Sequence, residues 1–458
     1  MPSFSGLEVS DVAQRFREGR ETKEDTWDYI TVPNNAVALK QKYDIEFGDE
    51  FVPTDTAMCD RLFQAGLEMF LNGIYDTATG RVAVFTEEEV REALACAPSE
   101  MSLGSDRDSV VCRCRGRSSS EAPVIVGGPN STSISDKLHI SVIESYAREP
   151  LVDVVIGGIV GLYNDRMITP GSLEEVLAVE DEIRTIRQAC MRKGRGGMGI
   201  LGPMASSSNM GRLAADLGYN AMRRSDLHYL RQQNEVKLNS DVLTSLAAWK
   251  VNGDRVISEH IPIMGGYVST PEETAICDVA SSIASFTVFG SDVHLDGPIH
   301  VSYGSTTTVP TLKVAGYAGT AMDRNTRCIL GDQIFTMAGS CTGMCLLEIA
   351  AQAIVDTVSG RELLLGVGSA KGSRKDMASG MEARMIGEVA HAAAGMSIDD
   401  ANVVVGEITS LYMKMVRSPP EGLRFRDCYN VADVTPNREY LNLHHNVRNQ
   451  LRQCGLDI

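Results

Sequence analysis

A carboxylate placed inside an apolar strand is costly unless something meets its charge, and Glu259 in "VISEHIP" is in that position. It requires a cation, a proton or several hydrogen-bond donors, and a structural ion pair with a loop arginine would satisfy it as well as a ligand would. Other apolar runs also carry polar groups near their ends. "DLHYL" (226–230) delivers His228 or Tyr229, "RCILGDQIF" (327–335) delivers Gln333, and "HLDGPIH" (294–300) delivers His294, Asp296 and His300. His260, beside Glu259, reads as a packing histidine. His294, Asp296 and His300 are metal-ligand types, but the Gly297-Pro298 turn interrupts them and no second acidic cluster has hard-ligand spacing, so no metal is expected.

Two glycine-bearing stretches raise the question of phosphate binding. Gly197 to Gly202, "GMGILG", spells G-x-G-x-x-G, yet it follows a helix end and a basic loop, "ACMRKGRG", and leads into Pro203 and "MASSSNMG". A dinucleotide turn needs a strand before its first glycine and a helix opening at its last, so this stretch reads as a short strand ending at Leu201. "GSAKGSRKD" (368–376), with Lys371, lacks the spacing of a phosphate-binding loop. The 11 cysteines are irregularly spaced and are expected as free thiols. Cys112 and Cys114 are too close for usual zinc spacing, and Cys341 with Cys345 reads as two buried thiols on one helix face.

These residues must be held by a regular frame. β-rich apolar runs at 151–160, 197–201, 226–230, 254–265, 298–304, 327–335 and 363–370 alternate with helix candidates at 172–194, 234–253, 270–290, 309–323, 341–360 and 378–395. Thr270-Pro271-Glu272-Glu273 is a helix start, and Gly194, Gly253, Gly360 and Gly395 stand where helices should stop. Such alternation calls for parallel strands with crossover helices, either an open doubly wound sheet or a closed (β/α)8 barrel. "APVIVGGP" (122–129) supplies an eighth strand or an outlying hairpin. The expected organisation is a mainly helical extension over 1–120, an α/β body over 121–395 and a short extension over 396–458.

Composition narrows the class of partner. Lys and Arg total 43 against 60 Asp and Glu, a formal charge of -17 among 458 residues, which repels nucleic acid. The N-terminus has no basic start followed by an apolar stretch, and no apolar run reaches the ~18 residues of a membrane span. The expectation is a soluble cytoplasmic protein without a membrane or nucleic-acid partner.

The strings "EFVPTD", "GGPNSTSIS", "IMGGYVSTPEETAICDVA", "VHLDGPIHVSYGSTTT", "MAGSCTGMCLLEIAAQ", "SAKG" and "GMEARMIGEVA" run in the same order and at matching spacing as in a known family. The chain resembles the monomethylamine:corrinoid protein methyltransferases of methanogenic archaea, essentially end to end. The resemblance implies a (β/α)8 TIM-type barrel assembled as a symmetric homo-oligomer, a hexamer. It also implies transfer of a methyl group from an amine to Co(I) of a cognate corrinoid protein docked over the barrel mouth, with no cofactor bound tightly by this chain.

The family's site is built around pyrrolysine in the segment G-M-G-V-pyrrolysine-G-P, which here reads Gly197-Met198-Gly199-Ile200-Leu201-Gly202-Pro203. Leu201 occupies the pyrrolysine position. Of the two glutamates and one glutamine around that ring, Glu259 and Gln333 match one of each, while Tyr229 aligns with the other glutamate. Val293 replaces the tryptophan before H-L-D-G, and Ser302-Tyr303 replaces an arginine–tryptophan pair. Leucine has no electrophilic atom to trap an amine, so the expected donor is already activated: a quaternary ammonium or betaine-like N-methyl compound that departs as a neutral amine. Glu259 is then expected to offset its charge and Gln333 to orient it. Leu201, Tyr229, Tyr303 and His294 would form the substrate wall, with cation–π contact from the tyrosines. The alternatives are monomethylamine as donor and a barrel that binds solute or corrinoid protein without turnover.

Overall fold

The computed structural model describes residues 7–458. Eight parallel strands close into a barrel in sequence order: β1 (Val124–Gly127), β2 (Val154–Ile156), β3 (Gly199–Gly202), β4 (Leu227–Arg231), β5 (Arg255–Glu259), β6 (Val293–Asp296), β7 (Ile329–Phe335) and β8 (Leu363–Gly368). β8 pairs back onto β1, with Leu365 opposite Val126. A helix follows each strand: α1 (Asp136–Ala147), α2 (Leu173–Arg192), α3 (Asn209–Ala214), α4 (Leu243–Asn252), α5 (Pro271–Phe289), α6 (Val309–Asn325), α7 (Gly343–Ser359) and α8 (Gly380–Ala393). This is the (β/α)8 arrangement, and it excludes the open sheet.

Local chemistry explains the helix limits. The Thr270 hydroxyl accepts from the Glu273 N–H while the Glu273 carboxylate accepts from the Thr270 N–H, and Pro271 sits at the first turn. Gly253, Gly290 and Gly360 close α4, α5 and α7 in the left-handed conformation. Two expectations required correction. The sixth strand is Val293–Asp296; only Ile299–His300 of the 298–304 run is extended, because Gly297-Pro298 ends the strand before it. The helix expected over 234–253 begins only at Leu243, since Lys237–Leu238 pairs with Tyr75–Asp76 of the N-terminal extension. The 122–129 run does form a barrel strand, β1.

Alternation along each strand divides the side chains between two cores. Val126, Ile156, Leu201, Tyr229, Ile257, Leu295 and Leu365 fill the barrel interior. Met101, Leu103 and Cys112 join that cluster from a hairpin, Glu100–Leu103 with Val110–Arg113. The Gly104 and Ser105 N–H groups donate to the Ser225 and Gly197 carbonyls, so the hairpin plugs the end where the strands begin. The opposite end is left for a site.

Outward residues pack under the helices. The N-terminal helix Thr56–Leu71 lies on α5, whose residues from Glu273 to Phe289 are buried throughout, as expected of a helix covered on both sides. C-terminal helices Ile398–Tyr412 and Arg438–Gln453 pack over α7, and the Tyr412 hydroxyl donates to the Thr307 carbonyl at 2.6 Å. All eleven cysteines are free thiols. Among the described residues no helix is long and apolar enough to cross a membrane.

Candidate active site

The C-terminal ends of β4, β5 and β7 converge on Glu259. Register places Arg231 directly beside Glu259 on neighbouring strands, and Tyr229, two residues earlier on β4, shares the inward face. The Glu259 carboxylate is fully buried and fully engaged. Gln333 Nε2 donates to its Oε1 at 2.5 Å, and Arg231 Nε donates to its Oε2 at 2.9 Å. Asn130, in the loop after β1, donates from Nδ2 to Gln333 Oε1 at 2.9 Å, fixing which way the glutamine amide points.

Arg231 caps the group. Its guanidinium carbon stands 5.4 Å from the Tyr229 ring centroid, while Nη2 makes longer contacts to Ser131 Oγ and Tyr229 Oη. Almost half of the arginine side chain is exposed, whereas its carboxylate partner is sealed. Burial, and then the Glu259 charge, push the Tyr229 hydroxyl above its ordinary pKa, so it stays protonated at neutral pH. Tyr229 and Glu259 together raise the Arg231 pKa, and the guanidinium stays charged.

Gly297, with φ +155°, permits the approach of β7. A Cβ added there would lie 2.5 Å from Gln333 Cγ. This turn, which ends β6, thus leaves the space that the glutamine side chain occupies.

The mouth differs from the expected pocket in four respects. Leu201 faces inward within the apolar barrel cluster and is fully buried; a depression of about 40 Å³ reaches only Pro203, Met204, Ser206, Arg212, Tyr229 and Arg231. The positive charge expected from a ligand on Glu259 and Tyr229 is supplied by Arg231 itself. His294 does not face the site. Because Val293 and Leu295 point into the barrel, His294 points outward, and its Nδ1 lies 2.7 Å from Ser285 Oγ on α5. Burial holds its pKa well below the ordinary value, so it is neutral. Tyr303 is half-buried in the loop after β6 with its ring 4.8 Å from that of His300, and it packs against the outer core. His228 is also outward, pairing with Asp216 at 2.8 Å.

Sequence reasoning missed Arg231 and Asn130. Arg231 follows directly on "DLHYL", and its i, i+2 relation to Tyr229 was the signal that put both on one face. Asn130 lies within "GGPNSTSIS".

A plugged (β/α)8 barrel with a charged constellation at the C-terminal strand ends is the frame of a barrel enzyme, and comparison with known proteins specifies the chemistry. The model of the family "Monomethylamine methyltransferase MtmB" matches residues 7–456. Monomethylamine methyltransferase MtmB of Methanosarcina mazei and MtmB1 of Methanosarcina acetivorans are each 42% identical over 447 residues, covering 97% of this chain and 97% of theirs. The crystal structure of the Methanosarcina barkeri monomethylamine methyltransferase superposes with a TM-score of 0.97 at 41% identity over 99% of both chains, and that of the hydroxylamine MtmB complex does so equally. The chain belongs to the monomethylamine methyltransferase MtmB family and is a methyltransferase.

Proposed function

We propose that this chain moves a methyl group from an N-methylated donor, bound at the mouth beside Arg231 and Glu259, to a corrinoid carried by a partner protein. Family membership supports the transfer, and the shape of the mouth suits a separate carrier. The mouth is a depression over Tyr229 and Arg231 that is open to solvent, so a corrinoid would be presented from outside. That group, in its Co(I) state, supplies the nucleophile. The residues of this chain bind and align the donor.

The observation that carries the donor reading is Leu201. A saturated, buried side chain stands where the family resemblance places pyrrolysine, and it offers no bond to an amine. The donor must therefore be activated on arrival. In a quaternary ammonium compound the C–N bond breaks with its electron pair staying on nitrogen; the amine leaves neutral, and no proton is needed. The charges at the mouth narrow the class further. A simple cation beside Glu259 would face the Arg231 guanidinium across the same carboxylate, and the like charges repel. A zwitterion avoids this conflict. Its carboxylate pairs with Arg231, the exposed member of the pair, leaving Glu259 and the Tyr229 face for the ammonium end.

A second reading, monomethylamine as donor, is favoured by the shared name of the relatives. Incubating the protein with its corrinoid partner reduced to Co(I), and following loss of the Co(I) absorbance with each donor, separates the two. The zwitterionic quaternary donor should support turnover. Turnover with monomethylamine and with no quaternary compound would overturn this reading.

A further inference from the structure

A second buried charged assembly lies on the other face of the same strands. Asp296 on β6 and Asp332 on β7 are register partners, both point outward, and both are fully buried. Asp278 from α5, Asp356 from α7 and Arg361 from the turn before β8 complete the group, also buried. Arg361 Nη2 approaches Asp296 Oδ2 to 2.5 Å but without hydrogen-bond alignment, and its Nε and Nη1 have no partner. Both oxygens of Asp278, Asp296 and Asp356 and Oδ2 of Asp332 have no N–H or hydroxyl partner; the carboxyls face one another, Asp278 with Asp296, Asp296 with Asp332 and Asp332 with Asp356. Four carboxylates against one guanidinium, away from water, require further positive charge.

His294 indicates its form. Ser285 Oγ lies 2.7 Å from His294 Nδ1, 3.3 Å from His260 Nδ1 and 3.2 Å from the Ser281 carbonyl; with its single proton on the carbonyl, it accepts from His294 Nδ1–H. His294 Nε2 is buried with no hydrogen-bond partner. One ligand atom each of Asp278, His294 and Asp296 lie within 4.8 Å of one another. An imidazole fixed through its other nitrogen, facing two carboxylates without N–H or hydroxyl partners, is the arrangement seen around bound metal ions.

We propose that Asp278, His294 and Asp296 bind a divalent transition-metal ion of the zinc or manganese type, with Asp332 adjacent as a fourth donor. Mixed nitrogen and carboxylate donors suit such an ion better than calcium or magnesium, which prefer all-oxygen sets. Burial on every side makes the site structural. The ion would clamp α5 to β6 and β7, behind the strand from which Gln333 reaches Glu259. Together with Arg361 it offsets three of the four carboxylates, and one proton shared between Asp332 and Asp356 completes the balance.

The test uses the full-length protein. Metal content is measured by mass spectrometry in the wild type and in Asp278→Asn and His294→Gln, and thermal unfolding is followed after chelation and after return of Zn2+ or Mn2+. The expected result is close to one ion per chain, a melting temperature lowered by about 5 °C or more on chelation and restored by one of the two ions, and loss of the ion in both variants. Where a variant fails to fold, chelation and restoration of the wild type decide the question alone. A wild type that neither contains nor is stabilised by either ion, or variants that keep the ion, would overturn the proposal and leave shared protons as the balance.

Discussion

The inner and outer faces of the barrel wall solve the same electrostatic problem differently. At the mouth, the single carboxylate of Glu259 is met by one guanidinium and one amide, each at hydrogen-bond distance, and the arginine keeps a path to water. Behind the wall, four aspartates share one arginine and most of their oxygens have no N–H or hydroxyl partner. A charge pair that a ligand must exchange with has to be satisfied without the ligand and yet reachable. A cluster sealed beneath helices is free of that demand and can be completed once, at folding.

The largest effect is expected at Glu259. Glu259→Ala leaves Arg231 without its partner and Gln333 without its acceptor, and methyl transfer should fall by about 10²–10³-fold in kcat/KM, with the fold intact by circular dichroism. Gly297→Ala acts at the shared turn: the added methyl pushes Gln333 aside, and a loss of about tenfold is expected, mostly in kcat. Leu201→Ala trims the apolar wall under the site. Because it removes no reacting atom, turnover should persist while stability falls by about 2–4 kcal/mol, read by urea unfolding.

The smallest effect sharpens the contrast between neutral and charged burial. His139, buried in α1, has its pKa depressed to about 4 by desolvation. The unfolded chain takes up that proton below the ordinary histidine value while the folded chain does not, so stability is lost as pH falls from 6.5 towards 4. His139→Leu should therefore lose about 2 kcal/mol less than the wild type between pH 7 and pH 5 in urea titrations.

Much of the barrel was legible because its strands and capped helices alternate with clear end signals, as Thr270 to Glu273 and Gly253 illustrate. "APVIVGGP", which the sequence left open between an eighth strand and an outlying hairpin, is a barrel strand. Side-chain direction was less legible. His294 was placed on the pore face because the sixth strand was set one segment late, and a strand's inward residues are known only once its register is fixed. Arg231 escaped notice as the last residue of its strand, although a loop arginine for Glu259 was among the alternatives. Asp278 was hidden within a helix, its meaning visible only when α5 lies against β6. Charge balance is a property of neighbours in space, which linear spacing does not report.

In the proposed complex Arg231 receives a donor carboxylate in place of Glu259. Calorimetric titration of wild type and Arg231→Ala with a quaternary ammonium carboxylate, the matching ammonium lacking the carboxylate, and monomethylamine tests it. The zwitterion should bind best to the wild type and lose about 10–100-fold in affinity in the variant, while the plain ammonium gains. Equal binding of the zwitterion by both proteins, or tightest binding of monomethylamine by the wild type, would contradict it.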